Sequence, residues 1–331
     1  MTRIFTDGAE MGDSLFWDGG GVSISAGGYG GVYYYATQGA IKYFTASSEV
    51  YYRSRVLSNQ PGANFRVPYI RSGGSEVCDV SYLSGYFHAH CNGNTFSNIK
   101  SFASGVWYLI EIYIKIDDSS GRFIVKIDGN TVVDFSGDTK PGTITTVDNI
   151  YYGSANGGDY FAMDDLAINN TDNSDGKNDN SWCGDGIVVR LAPSGSSATT
   201  NNWLNSGSVS GSANYLYVDE YPADGDTTYT YASASSTGLQ TQFALSNFTI
   251  AGTTITRVFA EGRAKKTSAN SYGVKIGDLA SGGTDVMSGS QVLSVGAYTR
   301  ILGNEQRVNP VTSASWTTAD VNGLELVLEI P

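Results

Sequence analysis

Trp107-Tyr-Leu-Ile-Glu-Ile-Tyr-Ile-Lys-Ile116 decides the fold class of this 331-residue chain. Tyr108, Ile110, Ile112, Ile114 and Ile116 fall on one side of an extended run, and Glu111 and Lys115 share the other with Trp107, Leu109 and Tyr113. That period of two predicts a strand with one face in a core and a semi-polar face opposite. Next to it, Asp117-Asp-Ser-Ser-Gly121 is a turn cluster, and Arg122 to Ile127 forms a second strand with Phe123, Val125 and Ile127 inward. Asp128-Gly129 is a strong two-residue hairpin signal, after which Thr131 to Phe135 returns as a third strand. The three strands make an antiparallel meander. Upstream, Val32 to Tyr43 and Glu49 to Leu57 also read as strands.

The composition agrees with that choice. Only 16% of residues are charged, 12% are aromatic, glycine occurs 41 times, and the 22 tyrosines outnumber the 20 lysines and arginines together. Gly and Tyr weaken helices, while Tyr suits a half-buried pleated surface. A 40% hydrophobic content fills a core and excludes disorder. The net charge of −12 leaves no cationic excess to neutralise a phosphate backbone, so nucleic acid is excluded as a partner. No apolar run approaches the ~20 residues of a membrane span. Met1 to Gly8 offers no apolar stretch for a signal peptide, so export by that route is not expected.

The stretch Asn169 to Asp185 is almost free of apolar residues and reads as a linker or long loop. Beyond it, Ile187 to Leu191, Asn214 to Val218, Leu239 to Ile250, Ile255 to Ala264, Tyr272 to Ile276, Val292 to Arg300 and Leu324 to Ile330 read as strands at sandwich spacing. One helical turn is expected at Thr317-Thr-Ala-Asp320, a capping pattern after Trp316. The expected fold is therefore all-β, with two antiparallel, jelly-roll-like β-sandwiches. They cover residues 1–175 and 186–331, with a linker at 176–185.

The cysteines are Cys78, Cys91 and Cys183, an odd count that argues against a disulfide scaffold. A hairpin turning at Leu83-Ser84-Gly85 would set Cys78 opposite Cys91, His90 opposite Asp79 and His88 opposite Ser81, with the histidines on the other side of the ribbon. A metal site from His88, His90 and Asp79 is one reading of that face. A polar, solvent-facing hairpin is the reading that a single carboxylate favours.

Catalytic motifs are missing: there is no Gly-x-Ser-x-Gly elbow, no His-Glu-x-x-His and no phosphate loop. Paired carboxylates on one strand would signal glycoside hydrolysis, but the same-face neighbours of Glu111 are Tyr113 and Lys115. No enzymatic activity is expected. Ligand binding is expected at Trp107, Glu111 and Tyr113, where aromatic rings flank a carboxylate as they do in sugar sites, although a covering loop or neighbouring subunit would use the same residues. No cofactor is called for. Calcium is the ion to consider, because Ile112 to Asp185 carries thirteen Asp and no Glu. Asp172, Asn173 and Asp175 offer hard oxygen ligands without the spacing of an EF-hand. Turn-forming aspartates account for the same composition, and Asp219 to Asp226 invites the same two readings.

Several stretches carry a resemblance. Thr6 to Asp13 followed by Trp17, the Trp107 strand, the Asp128-Gly129 hairpin and Phe161-Ala-Met-Asp-Asp-Leu-Ala-Ile168 resemble concanavalin A-like or laminin G-like jelly rolls. Ser181-Trp-Cys-Gly-Asp185, Asn214 to Tyr229 and Asn309 to Leu324 are similar to patterns recurring in virion structural proteins of tailed bacteriophages. The resemblance implies a non-enzymatic virion component on the particle surface, as head decoration or as part of a tail or fibre, adhering to glycans. It also implies contacts with other virion proteins and self-association through aromatic patches, and no membrane insertion. The alternatives are a free carbohydrate-binding lectin-like module and a divergent glycoside hydrolase.

Overall fold

The alternating run is a strand, Tyr108–Lys115, and its isoleucines are buried as the period of two requires. In the computed structural model the described residues are 3–9, 17–29, 33–60, 64–154, 161–171, 181–207, 213–220, 224–232, 237–269, 271–283 and 285–331. The chain divides into two units, Met1–Val189 and Arg190–Pro331.

The first unit contains β1 (Arg3–Asp7), β2 (Gly19–Ala26), β3 (Tyr33–Ser47), β4 (Glu49–Leu57), β5 (Phe65–Ser72) and β6 (Ser75–Leu83). It continues with β7 (Tyr86–Cys91), β8 (Asn94–Ser101), β9 (Tyr108–Lys115), β10 (Gly121–Ile127), β11 (Asn130–Gly137), β12 (Val147–Ser154) and β13 (Phe161–Asn170). All are joined in one antiparallel ladder, β11-β10-β9-β4-β13-β3-β12-β5-β6-β7-β8, with β1 added to β13 and β2 to β3. The tight turns have a plain cause. Ser84-Gly85, Asn92-Gly93 and Asp128-Gly129 each put two successive residues at positive φ, the backbone that a two-residue hairpin needs.

Side chains from opposite ends of the ladder meet. Phe96 of β8 packs on Phe123 of β10 and Phe135 of β11, with ring centroids 6.1 and 5.9 Å apart. Phe87 of β7 meets Tyr108 of β9 at 5.2 Å, and Phe65 of β5 stacks on Phe161 of β13 at 5.0 Å. The sheet therefore curls until its apolar face is closed against itself, and the all-β sandwich expected from the alternation is present. Inside lie Ile110, Ile112, Ile114, Phe123, Val125 and Ile127 from the meander, together with Tyr52 and Tyr152, whose hydroxyls hydrogen-bond each other across the core.

The β6–β7 hairpin has the register that a turn at Ser84-Gly85 dictates: Cys78 faces Cys91, Asp79 faces His90 and Ser81 faces His88. Both Cys78 and Cys91 are buried on the inner face as free thiols.

The second unit is also built on strands: β14 (Pro193–Asn201), β15 (Leu204–Asn205), β16 (Thr230–Tyr231), β17 (Gln240–Leu245) and β18 (Glu261–Ala264). There follow β19 (Gly273–Leu279), β20 (Asp285–Met287), β21 (Gln291–Val292), β22 (Thr299–Leu302) and β23 (Glu325–Glu329). One sheet runs β14-β17-β23-β19-β20, with β21 on β19, and two short ribbons pair β15 with β16 and β18 with β22. Three expected strands take other forms. Ile187 to Leu191 is irregular, Asn214–Tyr217 is a 3₁₀ turn, and Val292 to Arg300 is the end of β21 and the start of β22 with a turn between them. Of Ile255 to Ala264 only Glu261–Ala264 is strand. The buried Asn214 explains the 3₁₀ turn: its amide donates to the Trp203 carbonyl at 2.8 Å and its Oδ1 accepts from Asn205, holding the backbone where a ladder would need it extended. The one α-helix among the described residues, α1 (Thr318–Asn322), starts at Thr317 with both halves of a capping box to Asp320.

Truncating Ile112→Ala, fully buried at the centre of β9, should cost about 3 kcal/mol through lost burial and the cavity left behind. Urea titration of the first unit's transition measures it, and a cost under about 1 kcal/mol would show that the two faces do not pack as described.

Candidate functional site

Two outer faces of the first unit carry polar side chains, and they differ in what covers them. The first is formed by β4, β9, β10 and β13. Alternation places Glu111 and Tyr113 of β9, with Trp107 just before the strand, opposite the core isoleucines. Tyr113 stacks on Tyr51 with centroids 4.5 Å apart, and its hydroxyl donates to Glu49. Trp107 lies edge-on to Tyr29 and Tyr34 at 6.2 and 6.0 Å. Glu111 is buried, and burial raises its carboxyl pKa against the opposing charges of Lys126 and Arg53. The three residues thus share one face, flanked by separate aromatic clusters.

Residues 181–188 lie over that face. Trp182 sits edge-on to Tyr51 and Tyr113, with the Lys126 ammonium 3.7 Å from its ring centroid. Arg53, opposite Glu111 in the β4–β9 register, donates from Nη1 to the Gly184 carbonyl at 2.9 Å and from Nε to the Asp165 carbonyl at 3.0 Å. A Cβ at Gly186 would come within 2.8 Å of Arg53 Nη1, so a side chain there would push the end of that guanidinium aside. Arg55 pairs with Asp185 and lies 3.4 Å from Asp165. Asp165 itself accepts from the Val188 N–H at 2.7 Å. The anchor is a bulge in β13 at Asp164-Asp165, where Asp165 takes a φ of 52° and the pairing with β4 shifts. Burial pushes the Asp165 carboxyl up to about 6, while the Val188 N–H and the two arginines hold it down.

The second face belongs to β12, β5, β6 and β7. Tyr69, Asp79 and His90 are register partners in one transverse row. The β5–β6 ladder shifts between Arg66 and Tyr69, across Pro68, which has no N–H to offer it. That extra residue brings Arg66, Tyr69 and Arg71 to the same side. Asp79 is fully buried and receives His90 Nδ1 at 3.1 Å. Arg66 Nη1 lies 3.1 Å from Glu76 and 3.7 Å from Asp79. The Arg66 guanidinium lies 4.6 Å from the Tyr69 ring centroid, and that of Arg71 lies 5.3 Å from Tyr69 and 4.6 Å from Tyr151. His88 turns its Nε2 to the Leu83 carbonyl at 3.3 Å instead of joining the cluster. Among the described residues no group of three or more His, Cys, Asp or Glu is arranged to hold a metal ion.

Asp172, Asn173 and Asp175 lie outside the described residues. In the second acidic loop, Asp224 accepts from Thr228 and Asp226 pairs with Lys265 and Tyr298. No part of the Arg66–Tyr69–Arg71 group was singled out from sequence. The alternation within Phe65 to Ser72 is broken at Pro68, so its face cannot be read until β6 is paired beside it.

No family model matches the chain, and neither does any curated protein sequence. Several solved structures are similar to about half of it. One is a sialidase, at 13% identity and a TM-score of 0.41, covering 52% of this chain; the chain spans 19% of that structure. A second is an endo-β-1,4-glucuronan lyase from the fungus Trichoderma reesei, at 16% identity and 0.40, covering 51% of this chain and 96% of that one. A third is a carbohydrate esterase from the Shiga toxin-encoding bacteriophage phi24B, at 14% and 0.37, covering 50% and 97%. The likeness carries none of those proteins' site residues to this chain. One expectation is corrected. Missing catalytic motifs and Glu111 without a second carboxylate point to no enzymatic activity, but that exclusion is withdrawn, because the second face gathers ionisable groups which sequence alone leaves apart. All three similar structures are enzymes by name.

The protonation of that face has a definite sign. Burial pushes the Glu76 carboxyl up to about 7, reinforced by its hydrogen bond with Asp79 and that residue's charge. The hydrogen bond to Asp79 raises the His90 pKa, against burial. A raised carboxyl pKa means that ionising Glu76 costs stability as pH rises from the ordinary carboxylate range through about 7. The His90 contribution is complete below its unfolded pKa and is lost as pH rises through the folded one. Asp165 acts in the same direction. The first unit's melting temperature should therefore fall between about pH 5 and about pH 8. Glu76→Gln should flatten that slope, and calorimetry of the variant beside the wild type is the check. Trp182→Ala should cost the first unit about 1–3 kcal/mol by uncovering Tyr51 and Tyr113, which denaturant unfolding reads directly.

Proposed function

We propose that the first unit recognises an acidic oligosaccharide on the outer face of β12, β5, β6 and β7. The observation that carries this reading is the pair of guanidinium groups, Arg66 and Arg71, held against the rings of Tyr69 and Tyr151. Stacking fixes the planar forks in advance, so little rotamer freedom is lost when they take up a carboxylate. Sugar rings also favour surfaces with aromatic edges and several fixed polar groups, and this face supplies both. The site read from sequence at Trp107, Glu111 and Tyr113 fits a ligand less well, because residues 181–188 lie over Glu111 and Tyr113.

Binding of polyuronates, sialylated glycans and neutral glycans to the full chain, measured by calorimetry at low and moderate salt, tests this. Acidic glycans should bind, more weakly at higher salt, and Arg71→Ala should reduce affinity about tenfold or more. Equal binding of neutral glycans, or an unaffected Arg71→Ala variant, would overturn the reading.

We also propose that the chain is displayed on a tailed-phage particle, a reading that rests on the sequence resemblance of Ser181 to Asp185, Asn214 to Tyr229 and Asn309 to Leu324. Exposed Tyr43, Tyr86, Tyr229 and Tyr272 supply the kind of side chain that subunit contacts use. Mass spectrometry of purified virions should detect the chain in stoichiometric amounts, and its absence would leave the free glycan-binding module as the surviving reading.

A further inference from the structure

We propose that the Tyr69–Asp79–His90 row is an acid–base site that cleaves uronate-containing polysaccharides by β-elimination. The inference rests on the acidic-glycan reading and goes beyond it, from binding to a reaction.

The carboxylates argue against hydrolysis. Glycoside hydrolysis uses two carboxyl groups set about 5 Å or more apart on either side of the scissile bond. Here Glu76 is paired with Arg66, and Asp79 is fully buried and engaged by His90. Neither arrangement leaves a nucleophile or a water-activating base on the far side of a sugar.

Proton abstraction needs different parts, and the face has them. Asp79 accepts from Nδ1 of His90, which fixes the imidazole and leaves Nε2 as the free basic nitrogen on a side chain 33% exposed. Tyr69 lies across β6 in the same row, about 10 Å away at the Cα atoms, two strand spacings, so a sugar lying over the row reaches both side chains. Burial holds its phenol up to about 12, with Arg66 and Arg71 opposing and Glu76 and Asp79 reinforcing, so it carries its proton at neutral pH. Arg66 and Arg71 flank Tyr69 on β5, where they meet a carboxylate.

The step balances without any co-reactant. His90 Nε2 takes the proton on C5, α to the uronate carboxylate, while a guanidinium stabilises the charge that moves onto the carboxylate oxygens. That electron pair forms the C4=C5 double bond, the C4–O bond breaks, and the Tyr69 phenol gives its proton to the leaving oxygen. The proton on His90 then returns to the Tyr69 phenolate through solvent. One product ends in an unsaturated uronate, the other in a new hydroxyl, and no water is consumed. Asp79 is a positioning residue.

The test is to incubate the full chain with polyglucuronate, polygalacturonate and alginate. It follows the ultraviolet absorbance of the unsaturated uronate and measures binding of the same polymers in parallel. Turnover should be seen with at least one polymer, and Tyr69→Phe and His90→Gln should each lower it at least about a hundredfold while the polymer still binds. Asp79→Asn should move the pH–rate profile as well as its height, which a merely structural loss would not do. Because Asp79 is buried, Tyr69→Phe, which removes one oxygen, is the variant that decides if Asp79→Asn does not fold. Binding without unsaturated product, saturated products, or full activity in Tyr69→Phe would overturn the elimination and leave acidic-glycan recognition standing. No binding to any acidic glycan would overturn both.

Discussion

One constraint governs the first unit: a ladder of this length has a single apolar face, and it must be buried against itself. The strands at the two ends, β8 and β11, are far apart along the hydrogen-bond path, yet Phe96 of one packs on Phe135 of the other. The curl that brings them together is what turns a twisted sheet into a sandwich, and burial of aliphatic and aromatic side chains supplies the driving force. Most polar side chains on the strands then face outward by the same period of two, while Ser54 stays inside on the Tyr52 hydroxyl.

That outward displacement creates two faces with opposite fates. Around β4, β9 and β13 it leaves Arg53, Arg55, Glu111 and Asp165 in a sheet surface too charged to stay dry and too apolar, at Tyr51 and Tyr113, to stay bare. Residues 181–188 resolve the conflict by giving each arginine a carbonyl or a carboxylate and each tyrosine a ring edge. Around β5, β6 and β7 the charges satisfy one another. Asp79 is the hub, drawing in His90, Arg66 and Glu76, and the arginines lean on Tyr69 and Tyr151. A buried carboxylate ringed by partly exposed cations and an imidazole is a poor packing solution and a good chemical one.

Much of this could be read along the chain. The alternation in Tyr108 to Ile116 puts the isoleucines inward, and the two-residue turn at Ser84-Gly85 is enough to pair Asp79 with His90, because a hairpin's register follows from its turn. By its local pattern the same hairpin reads as a solvated polar face. It is not one: Asp79 is fully buried, since Arg66 arrives from β5, a strand whose pairing no local rule predicts across the Pro68 irregularity. Trp107, Glu111 and Tyr113 share a face as the pattern requires, but a pattern does not say what lies over it. A run of Asn, Asp and Ser looks like a linker by composition, and yet its end, from Ser181, is hydrogen-bonded to β4 and β13.

The amino-acid sequence by itself determined that this is a β protein, which strands turn back on which neighbours, and which side of the alternating strands faces inward. Those properties depend on nearest neighbours along the chain: side-chain period, positive-φ turn residues and local apolar content. Only the tertiary structure decided which outer face is covered and which charges are gathered around Asp79. Those depend on strands far apart in sequence becoming adjacent in the ladder, and adjacency of that kind is set by how the whole apolar face closes.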